Sequence, residues 1–559
     1  MDDNRLKKGW LNEYPDGVPA EIDLGEYTSL ADLFRRSSER YANKTALVSL
    51  GKTMSFSKLD TLSRNLASYL VGELDLKQGD RVGLMMPNIL QYPVAFFAII
   101  RAGLVVVNCD PLSSQRELRY QLTDSGCRAI IVIEDCARKL SNVVEETPIE
   151  FVITTQVGDL LGPIKGTAIN FQHKWLSGLV PPFSLKGSIS FCKTVRYSRR
   201  LYADPVIHPE DLALLQYTSG TEGVPKGVML SHQNLVANVL QGSAWASGDL
   251  VAGAETMVTV LPMYHIFGLT CNLLYAIKIG ACNLLLVNGQ DSKETVKVLS
   301  ENRFSVLVGV GTFYQQLMLA PDISRVDFSH LKVSLTGGMA MNKGLAKEWA
   351  HLTGMPLIES YGMTEASPAI TINPMNLPKY NGFLGLPLPS TEVSIRDLSG
   401  NELGPNRPGE VWVKGPQIML GYWRKPETTA YALTKDGWFR TGDVAEMCPN
   451  GYVRVIDRIR DIVNVSGFVV YPTEIESLVK THESVEDAAV IAVPDDRSGE
   501  AVKLFVVTKK GFESDELVLM NFCRGKLSGY KCPKHIEFVD RLPRDKTGNL
   551  LRRELRKAF

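Results

Sequence analysis

The chain has 559 residues, 45% apolar and 22% charged, with 61 acidic and 61 basic side chains and no net charge. That length exceeds one hydrophobic core, so two or more domains are expected. The neutral balance excludes a whole-chain field for nucleic acid, and nine scattered cysteines without a C-x-x-C pair exclude a disulfide scaffold and fit a reducing compartment. Residues 1–8 are charged and lead into no apolar stretch, which predicts no signal peptide, and no apolar run reaches membrane-spanning length.

Residues 1–30 read as an irregular arm. Leu30, Leu33, Phe34 and Tyr41 predict a helix over 30–41. Strands at 46–48 and 54–56 form a hairpin around Gly51. Ser57 is expected to cap a helix through 70, with Leu59, Leu62, Leu66 and Leu70 on one face. Strands at 80–85, 104–107 and 129–133 then alternate with helices at 91–102 and 116–125, a rhythm that predicts a doubly wound sheet. From 155 to 205 the pattern is least legible. Basic residues interleave with Phe171, Trp175, Phe183 and Phe191. Such a mix suits a membrane-surface or interdomain face; the reading favoured here is a solvated loop over the core.

Strands at 212–217 and 228–230 flank Tyr217-Thr218-Ser219-Gly220-Thr221-Glu222-Gly223-Val224-Pro225-Lys226-Gly227. Glycines let backbone N–H groups crowd an anion. Hydroxyls donate further hydrogen bonds, and Lys226 adds a positive charge. The stretch therefore reads as a phosphate-holding loop between two strands. It is not a Walker A loop, because Lys226 precedes glycine and a strand follows. A second α/β set runs to about 370, with a helix at 234–242 and strands at 256–261, 281–287, 306–310 and 333–335. From about 383 to 455 glycine- and proline-rich short strands (392–395, 410–413, 452–455) predict a small barrel or folded sheet. The last hundred residues read as an α+β unit: a helix at 472–481 with proline in its first turn, strands at 488–493 and 501–507, and a helix at 514–527. Residues 524–559 hold eleven Lys/Arg against four Asp/Glu, a face suited to a polyanion such as the phosphates of coenzyme A.

Further stretches carry ligand chemistry. Ser360-Tyr361-Gly362-Met363-Thr364-Glu365 offers a ring to stack a base, a hydroxyl for a phosphate, and a carboxylate for a hard cation such as Mg²⁺. Thr441-Gly442-Asp443 puts a carboxylate after a tight turn, where it suits ribose hydroxyls. Asp457-Arg458-Ile459-Arg460-Asp461 sits where a hinge belongs. Pro543-Arg544-Asp545-Lys546-Thr547-Gly548-Asn549 is a basic glycine turn near the C-terminus.

In this order, these motifs resemble the adenylate-forming superfamily over nearly the whole chain. The likeness is strongest to bacterial long-chain fatty-acid–CoA ligases, in Leu84-Met85-Met86-Pro87-Asn88-Ile89-Leu90-Gln91-Tyr92-Pro93-Val94, in Leu261-Pro262-Met263-Tyr264-His265-Ile266-Phe267, and in Val465-Ser466-Gly467-Phe468-Val469-Val470-Tyr471-Pro472. The resemblance implies an α/β protein. A large N-terminal domain (1–457) holds two doubly wound subdomains and a small β-barrel, and a mobile α+β domain (458–559) follows. It implies that a carboxylate attacks the α-phosphate of Mg²⁺-ATP, giving acyl-adenylate and pyrophosphate, and that coenzyme A then takes the acyl group. The C-terminal domain turns between the two steps about a hinge matching Arg460.

By the same resemblance, Thr218, Ser219, Gly220, Thr221, Gly223 and Lys226 hold the β- and γ-phosphates. Gly337, Gly338, Tyr361 and Gly362 surround adenine. Thr364 touches the α-phosphate, and Glu365 binds Mg²⁺. Asp443 and Arg458 take the ribose. His265 sits near the acyl carboxylate, Gly467 lines the pantetheine path, and 308–312 form part of the acyl tunnel wall. Relatives carry lysine where this chain has Asn549, with Lys546 three residues earlier as a substitute, and usually threonine at Glu222. A carboxylate at 222 facing the triphosphate would cost roughly 1–4 kcal/mol at about 4 Å; turned to solvent it costs nothing.

The expected activity is a medium- to long-chain fatty-acid–CoA ligase, cytoplasmic or held peripherally at the inner membrane, with a homodimer left open. Two alternatives remain. One is an adenylating ligase that passes its acyl group to a carrier protein or amine. The other is a weakly active nucleotide- or acyl-binding relative, suggested by Asn549.

Overall fold

The structure, a computed structural model, describes residues 9–197, 204–218, 225–338, 343–397, 399–466, 468–495, 497–512, 515–544 and 550–557. The chain divides into two compact units. One comprises Glu13–Glu392 and Lys414–Phe439; the other comprises Met1–Asn12, Val393–Val413 and Arg440–Phe559.

The first unit holds two large, mostly parallel sheets. Eight strands run in the order Gly421–Tyr422, Lys226–Ser231, Leu212–Thr218, Val105–Asn108, Arg81–Met85, Cys127–Ile133, Phe151–Thr155 and Ile189–Ser190. The central strand Val105–Asn108 is buried at every position, as expected of a parallel strand covered on both faces. The helix Gln91–Arg101 is buried throughout. Its one charge, Arg101, is matched by Asp60 at 3.0 Å and Asp204 at 3.3 Å, as a buried guanidinium requires.

Nine strands form the second sheet, in the order Leu386–Pro387, Ala369–Ile372, Leu357–Gly362, Val333–Gly337, Val306–Gly309, Thr256–Thr259, Cys282–Leu285, Thr45–Ser49 and Lys52–Ser55. The N-terminal hairpin thus belongs to the second sheet, with Leu47 in parallel register with Asn283. These sheets bear out the expected α/β class.

Three local expectations need correction. The helix Phe56–Gly72 is capped by Ser55, whose hydroxyl accepts the Lys58 N–H, and not by Ser57. The strand Lys52–Ser55 passes straight into the helix, so the extended residue at the junction takes the cap. The stretch 155–205 is not simply a loop. It holds the helix Pro163–Phe171, a wider π-turn Gln172–Leu176, the edge strand Ile189–Ser190 and the helix Phe191–Arg196. Ile164, Phe171, Trp175, Leu176 and Leu179 face outward while Val157, Leu161, Phe191 and Val195 are buried, so no continuous core-facing period marks it in the sequence. The small barrel is instead a four-stranded open sheet, ordered Glu392–Arg396, Gly409–Lys414, Phe439–Met447, Val453–Arg458. Closure requires the end strands to meet, and among the described residues they do not pair.

In the second unit a further sheet runs Phe468–Val470, Val463–Val465, Gly499–Thr508, Val485–Asp495, with His535–Phe538 parallel to Gly499–Thr508. Ile475 and Val479 of the helix Pro472–Val479 bury against Val490, Leu504 and Leu519. Among the described residues no helix is long and apolar enough to cross a membrane.

His232 gives the first unit a pH dependence. It is buried, and its Nδ1 accepts the Leu30 N–H at 3.4 Å at the start of the helix Leu30–Arg40. Burial lowers its pKa to about 4. The unfolded histidine takes up a proton near pH 6.5 that the folded one refuses until about 4. Stability is therefore complete above about pH 6.5 and falls with falling pH, by about 1.4 kcal/mol per unit across that window. Urea unfolding midpoints at pH 7 and pH 5 should differ more for the native protein than for His232→Asn.

Candidate active site

Four of the expected site stretches lie at carboxyl ends of strands in the second sheet, where open α/β sheets bind ligands. Thr256–Thr259 leads to the His265 segment, Val306–Gly309 to Val310-Gly311, Val333–Gly337 to Gly338, and Leu357–Gly362 to Thr364. The registers Thr259↔Val308, Gly309↔Thr336 and Gly337↔Ser360 bring these ends level. Gly337 fits because a Cβ there would meet Ser360 Oγ at 2.6 Å, with Phe267 Cζ at 3.4 Å. Gly338 takes a left-handed φ of 80°. Tyr361 and Thr364 are buried, and Thr364, Glu365 and Ala366 form one 3-10 turn.

The strands Leu212–Thr218 and Lys226–Ser231 pair antiparallel, with Thr218 opposite Lys226, so the loop they carry closes tightly at its base. Ser219, Gly220, Thr221, Glu222 and Gly223 lie outside the described residues, as do Gly467, Lys546 and Asn549. Lys226 Nζ stands 5.3 Å from the centre of the Tyr422 ring, a cation–π distance. The Tyr422 hydroxyl donates to Glu365 Oε1 at 2.9 Å. Burial and the Glu365 carboxylate push its pKa well above the ordinary tyrosine value, so it remains a donor. Tyr422 holds this place because Gly421–Tyr422 extends the first sheet, opposite Met229 and Val228. The Trp423 N–H donates to the Gly227 carbonyl at 2.8 Å, and the Met419 N–H to the Glu365 carbonyl at 2.9 Å. Lysine and carboxylate, 139 residues apart in the chain, thus flank one ring.

At the foot of the same loop, Tyr217 donates to Asp124 at 2.6 Å and Trp423 Nε1 to the Asp124 carbonyl at 3.0 Å. Tyr422, Trp423 and Asp124 were not anticipated. The only signal for them is an aromatic pair after a glycine, with no period to mark it.

Two of the resembling stretches hold each other. Asn88 donates to the Leu261 carbonyl and accepts the Met263 N–H, both at 2.9 Å. The Tyr92 hydroxyl lies 2.8 Å from Asn108 Oδ1 and 2.7 Å from the Met263 carbonyl. Asn108 donates to Gln216, which donates to the Tyr264 carbonyl. This buried network fixes the backbone that presents His265. The His265 side chain reaches solvent, yet surrounding protein lowers its pKa by desolvation, the behaviour of a group in a crevice. Its Nδ1 accepts the Phe267 N–H at 3.3 Å, which places the proton of the neutral ring on Nε2. Asn88→Ala would leave the Met263 N–H and the Leu261 carbonyl without their partner, at about 1–3 kcal/mol for each group that stays buried. Its expected signature is a lower denaturation midpoint together with a raised KM for the acyl substrate.

In the second unit, Asp443 and Arg458 face each other across paired strands, with Arg458 Nε 3.1 Å from Asp443 Oδ1. Asp443 is buried, Arg458 half exposed. The turn before Asp443 is fixed by Thr441, whose hydroxyl donates to the Val411 carbonyl and accepts the Asp443 N–H. A cavity of about 320 Å³ opens elsewhere in this unit, lined by Arg524, Lys534, Tyr530, Cys532, Ser498 and Met520 among others.

Among the described residues no cluster of three or more His, Cys, Asp or Glu forms a metal site. Glu365 is a single hard carboxylate oxygen donor. That suits Mg²⁺, which commonly takes one or two carboxylates and completes its octahedron with water and substrate phosphate.

Comparison with known proteins shows the family. The AMP-binding enzyme family model matches residues 34–423, and the AMP-binding enzyme C-terminal domain matches 474–549. The long-chain-fatty-acid–CoA ligase of Salmonella typhimurium is 48% identical over 99% of this chain and 98% of its own length. That of Bacillus subtilis is 36% identical over 98% of each. The ATP-bound structure of MatB from Rhodopseudomonas palustris superposes with a TM-score of 0.81 at 29% identity, covering 94% of this chain and 98% of its own. The chain belongs to the AMP-binding enzyme family.

Proposed function

We propose that this protein is an ATP-dependent long-chain fatty-acid–CoA ligase. Lys226, Tyr422 and Glu365, gathered where two sheets present their loops, carry the nucleotide half of this reading. The names of full-length relatives carry the acyl half. A fatty-acid carboxylate oxygen attacks the α-phosphorus of ATP, the bond to the bridging oxygen breaks, and pyrophosphate leaves. The coenzyme A thiolate then attacks the acyl carbon and AMP leaves. Lys226 and Thr218 bind the outgoing phosphates, and Thr364 orients the α-phosphate. Glu365 would hold Mg²⁺, which when bound offsets phosphate charge. Gly337, Gly338, Tyr361 and Gly362 receive the adenine, Asp443 oriented by Arg458 takes the ribose, and His265 presents its Nε2 proton toward the acyl carboxylate. Arg524 and Lys534 in the second unit's cavity suit the phosphates of coenzyme A.

The test is pyrophosphate release from ATP across fatty acids of increasing length, with and without coenzyme A. Release with long chains, and acyl-CoA when coenzyme A is present, is expected. No release under either condition overturns the proposal. Release without an acyl-CoA product points to a carrier-protein or amine acceptor instead.

A further inference from the structure

The stretch after Asp159 is unusual in both charge and exposure. From 160 to 203 the sequence has no aspartate or glutamate, while it holds Lys165, Lys174, Lys186, Lys193, Arg196, Arg199 and Arg200. At the chain's average frequency about five acidic residues belong there. The structure describes this stretch to residue 197.

Its helix Pro163–Phe171 and the π-turn Gln172–Leu176 lie on the first unit by one side only. A Cβ on Gly166 would come within 2.3 Å of the Gly158 carbonyl oxygen, so the helix rests on backbone there. Asn170 accepts the Gly158 N–H at 2.6 Å and donates to Asp159. His173 pairs with Asp135 at 2.8 Å and Lys174 with Glu134 at 3.3 Å. These contacts lock the element and use the neighbouring acids on its inner side.

The other side is a stripe at helical spacing. Ile164, Ala168, Phe171 and Trp175 follow one another at intervals of four, three and four residues, and all are exposed. Ile164 is 88% exposed, Phe171 57%, Trp175 71% and Leu176 74%. Leu179 extends the patch, and Lys165, Lys186, Lys193 and Arg196 are also exposed. Large apolar side chains this exposed on a rigid, well-anchored helix are costly in water unless something covers them. Indole, phenyl and aliphatic groups on one face, lysine and arginine nearby and no acid in the segment together match an anionic lipid surface. The rings sit at headgroup depth and the cations meet lipid phosphate.

We propose that residues 163–179 form a membrane-docking element that seats this protein on anionic bilayers. This inference does not rest on the reaction proposed above, and vesicle binding is measured without substrates. The full chain is sedimented with vesicles of phosphatidylethanolamine and phosphatidylglycerol, and separately with phosphatidylcholine vesicles. The native protein should bind the mixed vesicles, bind phosphatidylcholine less, and lose binding as salt rises. Trp175→Ser/Leu176→Ser should weaken binding by at least about tenfold. Its unfolding temperature and its pyrophosphate release with a short, soluble acid should not change, because both side chains face solvent. Ile164→Ser should weaken binding less, in the same direction. Native protein left in the supernatant with anionic vesicles overturns the proposal, as does a double variant that sediments like the native chain. Concentration-dependent dimerisation in the ultracentrifuge that the double variant abolishes, without vesicle binding, assigns the stripe to a second copy of this chain and equally overturns it.

Discussion

Glu365→Gln is expected to slow acyl-adenylate formation by about 10²–10³-fold, the usual effect of removing one preorganised electrostatic contact. Glutamine keeps the shape of glutamate and can still accept from the Tyr422 hydroxyl, so the fold should persist and the thermal midpoint should barely move. What disappears is the negative charge. Two consequences separate a metal-holding role from a structural one. The Mg²⁺ concentration needed for half-maximal pyrophosphate release should rise, and thioester formation from supplied acyl-adenylate should be much less affected. Tyr422→Phe is the complementary variant. It keeps the ring beneath Lys226 and removes only the donor to Glu365, so its loss should be smaller. Equal loss in both half-reactions for Glu365→Gln would refute the assignment.

Asn549→Lys is expected to accelerate adenylation by up to about 10²–10³-fold while leaving thioester formation nearly unchanged. The resemblance implies a lysine at this position, where it would meet negative charge developing on the α-phosphate; asparagine offers a donor without charge. The described residues that flank 545–549 are pinned. Arg544 and Leu550 form an antiparallel bridge, and the Leu551 N–H donates to the Pro543 carbonyl at 2.8 Å. Just beyond, Arg552 is held by Glu476 at 2.7 Å and Asp461 at 3.5 Å, and Arg556 by Asp461 at 2.9 Å. The described residues on both sides of 545–549 are therefore held in place. Single-turnover pyrophosphate release measures the first step. An unchanged rate would show that Lys546 or another group already supplies the charge, and strong impairment of Lys546→Ala in the native background would identify Lys546 as that group.

Much of the fold was legible because its signals are local. The run Val105–Asn108, buried at all four positions, reads as a central parallel strand on composition alone. The proline that opens Pro472–Val479 lies where its missing N–H costs nothing. The expected motif residues were legible for a related reason: glycine, hydroxyl, lysine and carboxylate within a few positions are rare in plain turns. Caps and closures were less so. Ser55 and Ser57 are equivalent in sequence, and only the path of the preceding strand chooses between them. Four short glycine-rich strands suit a barrel or an open sheet equally until their edges are seen.

By itself, the sequence determined the α/β class, the order of the motifs and the chemical types at the site, because period, turn chemistry and composition act over a few residues. Tertiary structure alone decided the partnerships. The hairpin at Thr45–Ser49 joins a strand more than two hundred residues away. Tyr422 becomes the link between Lys226 and Glu365 because a two-residue strand pairs with Lys226–Ser231. Asn88 and Tyr92 hold the His265 segment from another part of the chain. The outward stripe at 164–176 is apolar in sequence like any core helix, and only packing shows which side is left to the solvent. The physical reason is common to all four: burial and register are properties of what lies across from a residue, and in a chain of 559 residues that neighbour is seldom close in sequence.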